Sequence, residues 1–402
     1  MIKKIVLSSF LLALASIGAP YAQQTFTIKG KVRGNTANGT RVYLTKPNET
    51  GETRIDSTVI KNNTFTFKGK LDKPAMYRVF LTKGKGAEAK KPENWLASGF
   101  YVDAGTITYD GHIDSLPSYY YRPKQPNVKP KIKGSKAQDL ADQLAASISK
   151  QRREINRLDE EYLTKYHLPS LDNIFNTAEG IALLQKMHPL EQEVDSIKML
   201  FIKNNPQSVV AFDTARNFFY AMDLALTPTE IDEMIGFLTA DWKGTPEFAS
   251  LKAAADQAKR TAIGAQYLDG KILDKSGKEV TLSSIFPKDK KYILLEFWAS
   301  WCGPCRGEIP HLKHSYQVWK DKGFDIVSIS LDQKDADWRK AMDAEDMKWN
   351  QYNANGGFDS PIIQDYNIKG IPYALLVDSS GKIVRSGMRG ASLDLALEEL
   401  LK

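Results

Sequence analysis

Cysteine is nearly absent from this chain: 402 residues contain two, Cys302 and Cys305. A scaffold stapled by several disulfides is therefore excluded. A bond closing a two-residue gap removes little chain entropy from the unfolded state, so as a structural staple this pair is a poor one. Long apolar runs are missing after the first 22 residues, and no later stretch is apolar enough to cross a membrane. No Arg-rich helix or stacked aromatic platform accompanies the formal charge of +7, which leaves nucleic-acid binding without support. What remains is an ordinary globular composition, 42% hydrophobic and 26% charged, on a chain long enough for roughly two to four domains.

Residues 1–22 read as a secretory signal. Lys3 and Lys4 form the charged end, Ile5 to Ile17 the apolar core, and Ala19 or Ala22 the small residue before cleavage. The apolar run is shorter than the roughly 20 residues of a membrane span. No cysteine lies near the cleavage region to carry a lipid. The expected location is the periplasm, as a protein that is not a lipoprotein. Removing Lys3 and Lys4 takes the charge from +7 to +5.

From 23 to 116 short alternating runs are broken by Gly, Asn and Asp. Examples are Thr25–Val32, Thr40–Leu44, Thr64–Gly69 and Tyr77–Leu81. Asn62-Asn63 stands where a tight hairpin turn belongs. This predicts a small antiparallel all-β sandwich or barrel, read as a spacer, a dimerisation domain or a binding module. Residues 117–134, with Pro117, Pro123, Pro126 and Pro130 among lysines, read as an extended linker. From 135 to 263 the period becomes helical. Leu140, Leu144 and Ile148 share a face that continues through Ile155, Leu158 and Tyr162, and further helices fit 178–203, 207–225, 228–240 and 246–265. Thr227-Pro228-Thr229-Glu230 is a helix-start signal.

From 264 to 402 strands and helices alternate, which predicts an α/β layer fold. The strand Tyr292–Trp298 runs directly into Cys302-Gly303-Pro304-Cys305 and a helix. The start of a helix offers unpaired N–H groups and partial positive charge to the first sulfur, favouring thiolate over thiol. That combination points to redox chemistry.

Phe297-Trp298-Ala299-Ser300-Trp301-Cys302-Gly303-Pro304-Cys305 resembles the active site of the thioredoxin superfamily. The continuation Arg306-Gly307-Glu308-Ile309-Pro310, the export signal and the insertion before Ile371-Pro372 resemble its TlpA/ResA-type envelope branch. The two upstream regions resemble the β-rich and helical extensions of some exported members. The resemblance implies a thioredoxin-like fold over 264–402 and thiol–disulfide oxidoreduction, with reduction favoured by Gly303-Pro304. Cys302 is implied as the attacking and more exposed thiol, and Cys305 as the resolving one. Glu296 stands where thioredoxins carry a buried proton-accepting carboxylate. Pro372, after Ile371, matches the loop proline held cis, beside which a substrate's extended chain pairs. Trp301 forms an apolar lip, and Glu308 tunes the thiols. The implied partners are disulfide-containing envelope proteins and a membrane-bound thiol electron donor, with a homodimer through the N-terminal domain as a further possibility.

No cofactor is expected. His311 and His314 superficially complete a zinc set with the cysteines. Six helical residues, however, separate Cys305 from His311 by about 9 Å along the axis, whereas zinc holds its ligands at about 2.0–2.3 Å. Haem attachment fails because Arg306 follows Cys305. Two other functions compete. A peroxiredoxin-like thiol peroxidase wants a threonine where Ala299 stands, and a non-enzymatic binding protein would act through the β domain.

Overall fold

The computed structural model describes residues 24–48, 51–84, 86–120, 127–219 and 226–401. The signal segment 1–22, the middle of the linker and the end of the helix expected over 207–225 lie outside these residues. Two compact units divide after Asp142.

The first unit holds β1 (Gln24–Arg33), β2 (Arg41–Asn48), β3 (Gly51–Val59), β4 (Thr64–Leu71), β5 (Ala75–Thr82), β6 (Trp95–Val102), β7 (Gly105–His112) and β8 (Lys131–Lys133). They form two four-stranded sheets, ordered β4-β1-β7-β8 and β3-β2-β5-β6. One buried cluster draws Phe26, Ile28 and Phe67 from the first sheet and Val42, Leu44 and Val79 from the second, so the alternation of the sequence does select an inner face. Phe26 stands opposite Gly69, and Gly30 opposite Phe65. Each ring covers its glycine so closely that a Cβ on Gly30 would lie 2.1 Å from the Phe65 ring.

Three details depart from the sequence reading. Asn62 and Asn63 do make a tight turn, with φ of +50° and +59°. The strands it joins nevertheless separate into different sheets and pair only at Lys61 and Thr64. The β1–β7 pair is parallel, so the unit is not wholly antiparallel. Lys131–Lys133, read as part of a solvated linker, pairs with β7. An unpaired edge offers backbone partners to any extended segment, whatever the polarity of its side chains.

The second unit contains the helical region and the α/β layer. The division falls within a first helix, α1 (Lys136–Ser147), which is followed by α2 (Ser149–Tyr162), a π-helical turn (Leu163–His167), α3 (Leu168–Leu171), α4 (Thr177–Asn204), α5 (Val209–Phe218), α6 (Pro228–Trp242) and α7 (Pro246–Lys259). The face running from Leu140 to Tyr162 is interrupted at Ile148. There the hydroxyls of Ser147 and Ser149 donate to the carbonyls of Leu144 and Ala146, a local alternative to the helical ladder. Thr227 and Glu230 form the capping box that their spacing predicts.

The α/β layer adds β9 (Lys271–Leu273), β10 (Glu279–Thr281), α8 (Leu282–Ile285), β11 (Tyr292–Trp298), α9 (Gly303–Trp319), β12 (Phe324–Ser330), α10 (Asp335–Glu345), β13 (Asn350–Asn353), α11 (Pro361–Asp365), β14 (Tyr373–Asp378), β15 (Ile383–Ser386) and α12 (Ala391–Leu400). Its seven strands are ordered β10-β9-β13-β12-β11-β14-β15. The central β11 is parallel to β12 and antiparallel to β14. Six consecutive residues of β11, Ile293 to Trp298, are buried, which explains its continuous apolar reading.

The helical region packs on this layer. Tyr166, Ile181 and Leu184 share a buried cluster with Ala391 and Leu395 of α12. Gly180 permits the close approach: a Cβ there would meet both Ala391 Cβ and the Tyr166 ring at 2.8 Å. Glycine to alanine inside a helix ordinarily gains up to about 1 kcal/mol. Here overpacking reverses the sign, and Gly180→Ala should lose about 1–3 kcal/mol in urea unfolding. A stabilised variant would show that α4 and α12 are not in such close contact.

Candidate functional site

The strand β11 ends at Trp298, and four residues later Cys302 stands immediately before α9. Its carbonyl accepts from Arg306 N–H at 3.1 Å. Its Sγ accepts from Cys305 N–H at 3.2 Å. Sulfur thus takes the place that a serine or aspartate oxygen occupies in an ordinary helix cap. Cys302 and Cys305 are disulfide-bonded, with Cα atoms 5.3 Å apart. Cys302 is 5% exposed and Cys305 1%, so the expected asymmetry exists but is small. The exposed feature is Trp301, at 60%, whose ring centre lies 6.3 Å from that of Phe358.

The turn before the cysteines depends on Asp332, a residue that sequence reasoning missed. Its carboxylate accepts from Ser300 N–H at 2.9 Å and from Ser300 Oγ at 2.6 Å. It also takes the Ser330 hydroxyl at 2.7 Å. Nothing local in the sequence pairs positions 32 residues apart.

Across the site, the Ile371–Pro372 peptide bond is cis, and Cys302 Sγ lies 3.7 Å from the Ile371 carbonyl oxygen. The next carbonyl, that of Pro372, accepts from Arg389 Nη2 at 2.9 Å.

Glu296 sits in the middle of β11, beside Ser328 on β12 and Ala374 on β14, and is 5% exposed. Burial pushes its pKa up to about 8. The Ser328 hydroxyl holds it down somewhat, and the negative charge of Glu308 raises it further. A buried carboxyl that is protonated at neutral pH and can release its proton is suited to proton exchange with a thiol.

Glu308, on α9, is half-buried rather than solvated, and Oε2 accepts from Gly390 N–H at 2.9 Å. Burial raises its pKa, while the Gly390 N–H, the His167 ring and the Arg389 guanidinium oppose the rise.

His311 and His314 face the helical region. Tyr166 Oη lies 2.9 Å from His311 Nδ1, and Ser170 Oγ 2.7 Å from Nε2. Ser170 gives its single proton to the His167 carbonyl at 2.6 Å, so it accepts from Nε2–H. The remaining nitrogen, Nδ1, then accepts from the tyrosine. His311 is neutral, its pKa lowered by burial to about 4. His314 stacks on Phe175 at 4.4 Å and contacts Thr177 Oγ1 at 3.2 Å.

Donor atoms of His167, Glu308 and His311 do lie within 4.8 Å of one another. A metal there would have to displace one of the two buried hydrogen bonds of His311, so the set is better suited to clamping α9 than to coordination.

A family model described as thioredoxin-like matches residues 289–383, and one described as a domain of unknown function (DUF4369) matches 26–141. Residues 289–383 are thus thioredoxin-like, and the C-terminal part of the chain is similar to thiol–disulfide oxidoreductases. The thiol-disulfide oxidoreductase ResA of Bacillus cereus is 27% identical over 159 residues, 40% of this chain and 88% of the relative. ResA of Bacillus subtilis is 26% identical over 116 residues, 28% of this chain and 59% of that one. The thioredoxin domain of a thiol-disulfide oxidoreductase from Bacteroides vulgatus is 34% identical, covering 35% of this chain and 99% of that structure, with a TM-score of 0.33.

The position of Glu296 in this thioredoxin-like sheet has a thermodynamic consequence. The folded protein keeps the Glu296 proton up to about pH 8, whereas an unfolded chain releases it near ~4.3. Folding therefore takes up a proton between these values, and stability falls as pH rises from about 5 to 8. The loss from this group is at most about 1.4 kcal/mol per pH unit. Measured on the oxidised protein, where neither cysteine titrates, Glu296→Gln should grow steadily more stable relative to the parent across that window. A difference independent of pH would show that Glu296 is already ionised at neutral pH.

Proposed function

We propose that this protein reduces disulfides of exported envelope proteins through a Cys302/Cys305 dithiol–disulfide couple, in the periplasm. The observation that carries the reading is the sulfur of Cys302 at the start of α9, accepting a backbone N–H and facing the loop of Ile371 and cis-Pro372. Export rests on the Lys3, Lys4 and Ile5–Ile17 pattern of the sequence.

The chemistry balances in two exchanges. The Cys302 thiolate attacks one sulfur of a substrate disulfide, forming a mixed disulfide and expelling the other sulfur as a thiolate. Cys305 then gives up its proton, accepted by Glu296 in the fraction that is ionised below its pKa of about 8, and attacks Cys302 Sγ. The second substrate sulfur leaves as a thiolate, and the enzyme disulfide forms. Two electrons have moved from the enzyme dithiol to the substrate. Restoring the dithiol takes two electrons from a further dithiol, which becomes a disulfide, and for a protein outside the cytosol a membrane-bound thiol donor is the natural source.

The cis-Pro372 loop supplies the docking edge, where an extended substrate chain pairs by backbone hydrogen bonds. Trp301 offers its exposed face as the apolar rim of this cleft.

In the presence of dithiothreitol the purified protein should reduce insulin disulfides. Cys305→Ser should accumulate mixed disulfides with its substrates, because the attacking thiol is intact and the resolving one is gone. Cys302→Ser should trap them poorly. Equal trapping by the two variants, read on non-reducing gels, would overturn the assignment of roles.

A further inference from the structure

Residues 389–391 lie at the junction between β15 and α12, away from the cysteine motif in sequence, and each of the three reaches a different part of the molecule. The Arg389 guanidinium donates from Nη2 to the carbonyl of cis-Pro372 at 2.9 Å. Gly390 N–H donates to Glu308 Oε2 on the cysteine helix at 2.9 Å. Ala391 N–H donates to Tyr162 Oη, at the end of α2, at 3.0 Å. Arg389 is itself pinned: its backbone N–H donates to Ser392 Oγ at 2.8 Å, and its carbonyl accepts the Ser392 hydroxyl at 2.7 Å.

We propose that Arg389 is a positioning residue for disulfide exchange with polypeptide substrates, holding the cis-proline loop at the height and orientation in which Ile371 can pair with a substrate's backbone. The inference rests on the oxidoreductase reading above and goes beyond it by naming what supports the docking edge. A loop that pairs with a substrate through its own peptide groups must keep those groups aimed outward, and a carbonyl is free to rotate unless something holds it. The guanidinium does so with a charge-assisted hydrogen bond, which is short, directional and stronger than a neutral one. The same residue lies in the electrostatic surroundings of Glu308, so its charge is not left uncompensated in a half-buried place. Glu308 on the cysteine helix and Tyr162 in the helical region hold the two backbone N–H groups that follow Arg389, so both elements anchor the segment that carries it.

Such a residue should matter for substrates with a peptide backbone and not for those without one. The reduced full-length protein is assayed against a disulfide-bonded peptide and against 2-hydroxyethyl disulfide, a neutral disulfide with no backbone to pair. Arg389→Ala should raise KM for the peptide about tenfold, while kcat and the rate with hydroxyethyl disulfide change by less than about twofold. Arg389→Lys keeps a cationic donor and should recover most of the loss. It also serves as the working variant should the alanine chain fold poorly, which thermal unfolding reports. Arg385→Ala, whose side chain pairs with Glu399, should behave as the parent on both substrates.

Equal loss on both disulfides, or no loss on either, would overturn the positioning role while leaving the oxidoreductase intact. A parent protein that reduces neither disulfide would overturn the functional reading itself, and this inference with it.

Discussion

The hydrogen bond from Cys305 N–H to Cys302 Sγ sets the terms for the rest of the active-site half of the molecule. A sulfur that accepts a helix N-terminal N–H is stabilised as a thiolate by the field of the helix. It remains useful only if the turn that presents it does not move. The structure supplies that rigidity from several directions. Buried β11 fixes the entry, Asp332 fixes Ser300, and α9 continues for 17 residues, Gly303–Trp319, away from the site. The long helix is held in turn by the helical region through His311 and His314.

Two carboxyl groups, on the strand before the cysteines and on the helix after them, carry the cost of burial. The charge of Glu308 raises Glu296, and each is shifted upward chiefly by desolvation. They are compensated differently. Glu296 has a serine hydroxyl and little else, which keeps it protonated at neutral pH and able to exchange its proton. Glu308 has a backbone N–H, the His167 ring and the Arg389 guanidinium nearby. Two acids, one on a strand and one on a helix, are thus compensated differently by their surroundings rather than by their chemistry.

The helical region acquires a physical purpose from these contacts. Tyr162, Tyr166 and Ser170 come from α2, the π-helical turn and α3, and each ends in a hydrogen bond to α9 or to the start of α12. A π-helical turn shifts the side chains that follow it to a new angle around the axis and is often found at functional places. Here it brings Tyr166, fully buried, and His167, stacked 5.7 Å from His311, to the same side as the cysteine helix. The region therefore supports the site as well as covering hydrophobic surface.

Much of the site was legible because its information is local. Cys302 and Cys305, the strand before them, the helix after them, Thr227 as a helix cap and Asn62-Asn63 as a turn all act through neighbours within a few residues. Their chemistry follows from spacing and backbone geometry. The same reasoning failed where long-range pairing decides the outcome. Lys131–Lys133 has no strand-like pattern and still completes a sheet edge, and the strands flanking Asn62-Asn63 part into different sheets. The face from Leu140 to Tyr162 breaks at Ile148, where serine hydroxyls compete for carbonyls. Above all, Asp332, Tyr162, Tyr166 and Arg389 meet the active-site elements only through the fold. The sequence by itself determined the closely spaced cysteine pair, the strand–helix junction that presents it and the alternation of α and β around it, because these depend on periodicity and local hydrogen bonding. Only the tertiary structure decided which distant side chains hold the cis-proline loop, neutralise Glu308 and clamp the cysteine helix, because such contacts depend on where separate segments come to rest.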